Sequence, residues 1–129
     1  MRAIDTNVLV RFLTNDDKRQ AEAARAAIKA GDIFVSATVL LEAEWVLRSA
    51  YGFEPARIAE SFQGLAGLPT ITVEDPTRLA QAIEWMRRGM DFADALHLAK
   101  ADECTVFLSF DHKLAKSAAA NGSVPVEEP

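Results

Sequence analysis

Apolar and polar residues follow two different periods along this chain, and each change of period marks a strand handing over to a helix. Met1–Ile4 is a short apolar run. Asp5-Thr6-Asn7, good capping residues, then lead into a helix at Val8–Leu13. Asn15-Asp16-Asp17 breaks that helix and begins an alanine-rich one, Lys18–Ala30, which Gly31 stops. Ile33–Val35 is the second strand, and Ser36 or Thr38 caps a helix running to Tyr51. Pro55 suits the first turn of a helix over Ala56–Ala66, and Ile71–Val73 is a third strand. Pro76 and Thr77 start a helix to Arg88, which Gly89 ends. Asp91 caps Phe92–Glu103, Thr105–Ser109 is a strand and His112–Ala120 is the last helix. Asn121-Gly122 then turns the chain into an edge strand at Val124–Val126.

Such alternation predicts an α/β fold, a mostly parallel central sheet flanked by helices. With 129 residues and no linker, repeat or low-complexity tract, a single domain over 1–129 is expected. No apolar run approaches the roughly 20 residues that span a bilayer, so no membrane association is expected. Charges at Arg2 and Asp5 interrupt the start too early for a secretory signal. The lone Cys104, expected to be buried at the start of a strand, cannot form an internal disulfide. A cytoplasmic protein is the expectation. The net charge of −5 argues against binding nucleic acid through the overall field. Bound divalent ions would reverse that sign locally.

Asp5, Glu42, Asp94 and Asp111 each sit where a strand passes into a helix. In a parallel sheet these junctions share the edge at the carboxyl ends of the strands, so the four acids are expected to converge. Two carboxylates about 4 Å apart repel by roughly 4 kcal/mol at an effective dielectric near 20. A proton or a hard cation such as Mg²⁺ or Mn²⁺ relieves that repulsion. The pattern therefore points to a metal-dependent phosphodiester hydrolase. Asp5 is expected to end a buried strand, oriented by Asn7. Glu42 and Glu44 lie on opposite margins of the stripe Val39, Leu40, Ala43, Val46, Leu47 and Ala50, and periodicity does not choose between them. The far face of that helix carries Leu41, Trp45 and Arg48; either a partner or second copy covers it, or the helix is buried on both sides. Asp91, Asp94 and His97 recur every three residues, with Asp91 as cap and His97 solvated. Asp111 either caps the last helix or acts as a fourth acid, and Ser109 is placed to bind a ligand or phosphate. Arg11, Arg87, Arg88, Lys113 and Lys116 are candidates for gripping a nucleic-acid backbone, with an exposed solubilising charge as the alternative for each one.

Taken together, Ile4-Asp5-Thr6-Asn7-Val8-Leu9, Ser36 to Glu42, Asp91 to Ala99 and Leu108-Ser109-Phe110-Asp111 resemble PIN-domain nucleases, most closely toxins of the VapC type. The resemblance runs nearly the whole chain, in the same order. It implies that Asp5, Glu42 and Asp94 are metal-site acids, favouring Glu42 over Glu44, with Asp111 as a fourth and Asp91 in support. Ser109 stands where threonine is commoner. The resemblance further implies Mg²⁺ (or Mn²⁺), cleavage of an RNA substrate, a cognate antitoxin partner and a homodimer. A phosphatase of the HAD type would need an acid at position 7, where this chain has Asn7. A receiver-type phosphoacceptor domain would need an acidic pair before the first helix, which is not evident. A binding module that has lost catalysis is the remaining alternative, and retention of all four acids speaks against it.

Overall fold

A computed structural model describes all 129 residues. The chain divides into two compact units, Met1–Pro76 and Thr77–Pro129.

The first unit runs β1 (Arg2–Ala3), α1 (Thr6–Thr14), α2 (Lys18–Ala30), β2 (Ile33–Val35), α3 (Ala37–Ser49), α4 (Pro55–Ala66) and β3 (Ile71–Val73). Its three strands pair in the order β1-β2-β3, all parallel, with Arg2 opposite Ile33 and Ile33 opposite Ile71. Parallel neighbours need crossover connections, which α1–α2 and α3–α4 supply. Ile33, Val35, Ile71 and Val73 are buried, as are Leu9, Leu40, Leu47, Ile58 and Phe62. β1 differs from its expected character. It is an edge strand held only by β2, and both of its residues are exposed.

The second unit contains α5 (Pro76–Arg87), apart from its first residue, then α6 (Phe92–Lys100), β4 (Phe107–Leu108), α7 (His112–Asn121) and β5 (Val126–Glu127). Its two strands form a separate parallel pair rather than joining one central sheet. The last strand lies beyond the expected Val124–Val126 because Pro125 has no N–H to give. Its carbonyl accepts from Phe107 N at 2.9 Å, and pairing starts there. Helix α6 stops at Lys100, short of Glu103. Carboxylates at a helix C-terminus oppose its dipole. Asp102 and Glu103 lie outside α6, within 2.8 and 3.7 Å of Arg78. Cys104 is consequently exposed in the turn rather than buried in a strand. Gly122 ends α7 at φ 69°, a conformation that costs glycine little.

In the first unit a polar cluster ties α1 to the chain beyond α3. The Tyr51 hydroxyl donates to Asp16 Oδ2 at 2.6 Å and accepts from Arg11 Nη1 at 3.1 Å. Arg11 also donates to Asp16 at 2.7 Å and to Gln20 at 2.7 Å. Nε and Nη1 of Arg11, a candidate backbone grip, are thus engaged within this cluster, while the side chain stays partly exposed. The Tyr51 hydroxyl, with further bonds from Arg11 and Thr14, holds the Asp16 carboxyl at about 2, against an ordinary 3.8; partial desolvation opposes the shift. A folded-state value below the unfolded one stabilises the fold above pH 3.8, and that contribution is lost as pH falls through about 2. Asp16→Asn should therefore flatten the loss of stability over this window, read as melting midpoint against pH. Parallel profiles for the variant and the wild type would reject the coupling.

Candidate metal centre

The first recess lies in the first unit. The backbone runs from β1 into Asp5, whose Oδ1 accepts Val8 N at 3.0 Å and caps α1. In the same sheet β2 runs into Ser36, whose Oγ accepts Val39 N at 3.2 Å and caps α3. Because β1 and β2 are parallel, both caps stand at the same sheet edge. Asp5, Thr6 and Asn7 line a recess of about 470 Å³ with Val39, Glu42 and Val46 of α3. Asp5 is exposed there, so burial does not force its charge to find a cation, contrary to the sequence reading.

Helix α3 has three faces, and they separate its two glutamates. Leu40, Ala43 and Leu47 are buried, and Glu44 lies among them at 4% exposure. Glu44 accepts from Arg48 Nε at 2.9 Å and Nη2 at 3.4 Å, a pairing at helical i,i+4 spacing. Glu42 is exposed and faces the recess between Val39 and Val46. Thus Glu44 is a paired structural charge, whereas Glu42 stands beside Asp5. Ala50, assigned to the apolar stripe, is exposed. Trp45 projects from the third face at 60% exposure.

Glu74 is a residue that sequence reasoning passed over. It follows β3, and its Oε1 accepts the first amide of α3, Ala37 N, at 3.0 Å. A carboxylate at a helix N-terminus is favourably placed against the dipole. It anchors the helix that carries Glu42. An acid directly after the third strand was the available signal.

The second recess, about 220 Å³, lies in the second unit and is lined by Asp91, Asp94, Asp111, Lys113 and their neighbours. Asp91 Oδ2 accepts Asp94 N at 3.1 Å and caps α6. Asp111 Oδ1 accepts Leu114 N at 3.0 Å and caps α7. Asp111 is in turn held by Ser109, whose Oγ accepts Asp111 N at 3.0 Å. Asp94, in the first turn of α6, caps nothing. Burial pushes its carboxyl above the ordinary range, and the charges of Asp91 and Asp111 push the same way, with His97 opposing. Three carboxylates thus share a neighbourhood with more negative charge than it neutralises.

His97 is exposed, and His112 pairs with Glu128 at 2.8 Å. Arg88 is engaged by Glu84 and Asn121. Lys113 lines the second recess, and Lys116 is exposed one turn further along α7. No group of three or more His, Cys, Asp and Glu side chains forms a ready-made metal cage. The donor set is nonetheless all carboxylate oxygen, the chemistry that hard dications take. The crowding around Asp94 is what such a cation would relieve. No helix is long and apolar enough to cross a membrane.

No curated protein and no solved structure matches the chain. The PIN domain family model matches residues 3–120, running through both units and both recesses. PIN domains are in general metal-dependent nucleases. With a family model covering most of its length, this chain belongs to the PIN-domain family.

Proposed function

We propose that this protein is a Mg²⁺- or Mn²⁺-dependent endoribonuclease of the VapC toxin type, acting as one domain in the cytoplasm and neutralised by a cognate antitoxin. The observation that carries the reading is the unneutralised acidic recess of Asp91, Asp94 and Asp111 beside Lys113. Asp5, Glu42, Asp94 and Asp111 are the proposed metal ligands. When bound, a dication supplies Lewis-acid polarisation of the phosphate and a lowered pKa for water. The chain's own contributions are separate. Asp91 orders the first turn of α6 and so orients Asp94; Ser109 does the same for Asp111. Asn7 lines the same recess as Asp5, and Lys113 and Lys116 attract backbone phosphates. Hydrolysis by water leaves 5′-phosphate and 3′-hydroxyl ends. Trp45, exposed on α3, supports a face for a second copy or for the antitoxin.

Purified, partner-free protein incubated with total cellular RNA and Mg²⁺ or Mn²⁺ should yield discrete fragments, and EDTA should abolish them. Asp5→Asn and Asp94→Asn should lower cleavage by about 100-fold or more, since even the partners of metal ligands are worth about 10- to 100-fold. Asparagine keeps the oxygen that caps α1 and caps as well as aspartate. Melting points should therefore hold in both variants, and full activity in either would refute the ligand assignment. An inactive wild type would instead favour a catalytically silent binding module.

Glu42→Gln should cost at least about 10-fold in cleavage. Glu44→Gln should leave cleavage near wild type while lowering stability by roughly 1 kcal/mol, the scale of a half-exposed ion pair. The reverse ranking of activities overturns the choice between them. Trp45→Ala should weaken self-association or antitoxin binding, measured by sedimentation and titration. If both are unchanged, α3 offers no interface.

A further inference from the structure

Phe110 is the most exposed of the large apolar side chains, at 74%. The other six phenylalanines are buried or half-buried. Its backbone is held on both sides. Ser109 N donates to Glu127 O at 2.9 Å, fixing the residue before it to β5. Asp111 N donates to Ser109 Oγ at 3.0 Å, and Asp111 caps α7. The ring is therefore presented to solvent by a fixed turn, which lowers the entropy lost when something docks on it.

The immediate neighbours of that ring define its occupant. Asp111, the next residue, lines the acidic recess together with Lys113. Lys113 and Lys116 are exposed and spaced three apart, on one face of α7. An exposed ring three residues ahead of an exposed lysine in the chain offers the two contacts that single-stranded nucleic acid takes, a face on which a base stacks and a cation for a phosphate. A protein partner fits poorly. Stable interfaces bury about 800 Å² on each side, whereas the only large apolar side chain exposed in sequence near Phe110 is Leu108, at 58%. Duplex RNA also fits poorly, because its bases are already stacked on one another.

We infer that Phe110 is a stacking platform for an unpaired base of the RNA substrate, seated beside Asp111 and Lys113. The inference rests on the ribonuclease reading and adds one residue to it: a fixed ring that holds an unpaired base by a contact tolerant of base identity.

The test uses the full chain and a single-stranded RNA of about 12 nucleotides, within the span such grooves accommodate. The RNA carries 5-iodouridine, which couples on irradiation to an aromatic ring stacked on it. The expected adduct maps to Phe110; adducts found only elsewhere overturn the inference. In EDTA, Phe110→Ala should weaken binding by about 5- to 100-fold, the scale of one base–aromatic stack. Phe110→Trp should retain binding, and the weak binding of a duplex should not change. Equal single-strand affinity in the alanine variant overturns the inference, as does an effect confined to self-association. Metal-dependent cleavage by the wild type is scored separately. Cleavage with an unaltered Phe110→Ala leaves the nuclease standing and removes the platform. A Phe110 adduct without cleavage does the opposite, and RNA neither bound nor cut removes both.

Discussion

One interaction recurs at the places on which the rest of this structure depends: a short polar side chain accepting the amide three residues ahead. Asp5 does so for α1, Asp17 for α2, Ser36 for α3, Asp91 for α6 and Asp111 for α7. The strands are only two or three residues long and cannot by themselves fix the direction in which the following helix leaves. A side-chain cap satisfies one of the free amides of the first turn and contributes about 1 kcal/mol. It thereby sets where each helix begins. After β1, β2 and β4 the cap is the strand-to-helix junction itself.

That device couples folding to the candidate chemistry. Asp5 and Asp111 each use one carboxylate oxygen on an amide and retain the other, so structural and ligand roles can coexist in one residue. Asp94 is different, because it receives a cap rather than giving one. Its carboxyl lies among Asp91 and Asp111 and is partly desolvated, which makes its negative charge harder to hold. The most perturbed carboxyl of the second recess is thus the one with no part in starting its helix. The caps of Asp91 and Asp111 keep the surrounding helices in place despite this local electrostatic cost.

Glu42 and Glu44 show why one acid of a pair becomes available. Helix α3 buries Leu40, Ala43 and Leu47, and Glu44 falls on that side, where Arg48 compensates it. Glu42 falls on the face toward Asp5. Glu74 steadies this arrangement from the end of β3 by holding the first amide of α3. Arg11 is tied down in a similar way, since Asp16, Gln20 and Tyr51 accept from its Nε and Nη1.

Local sequence determined the elements: apolar runs broken by Asp, Ser, Gly and Pro marked the helices to within a few residues and put Asp5, Asp91 and Asp111 at caps. These signals are short-range, carried by amides and side chains three or four residues apart, so they survive without knowledge of the fold. The order of pairing was not legible in that way. Only the tertiary structure made β1 an exposed edge, set β4 and β5 apart as a pair, and left Cys104 in a turn. It also gave Glu42 and Glu44 different surroundings, although both sat at the margins of one apolar stripe and periodicity weighs margins equally. What separates them is which neighbour each one meets, Arg48 for one and the Asp5 recess for the other. Contacts between residues 37 positions apart, such as Glu74 with Ala37, have no local signature. They exist only once the chain has closed on itself.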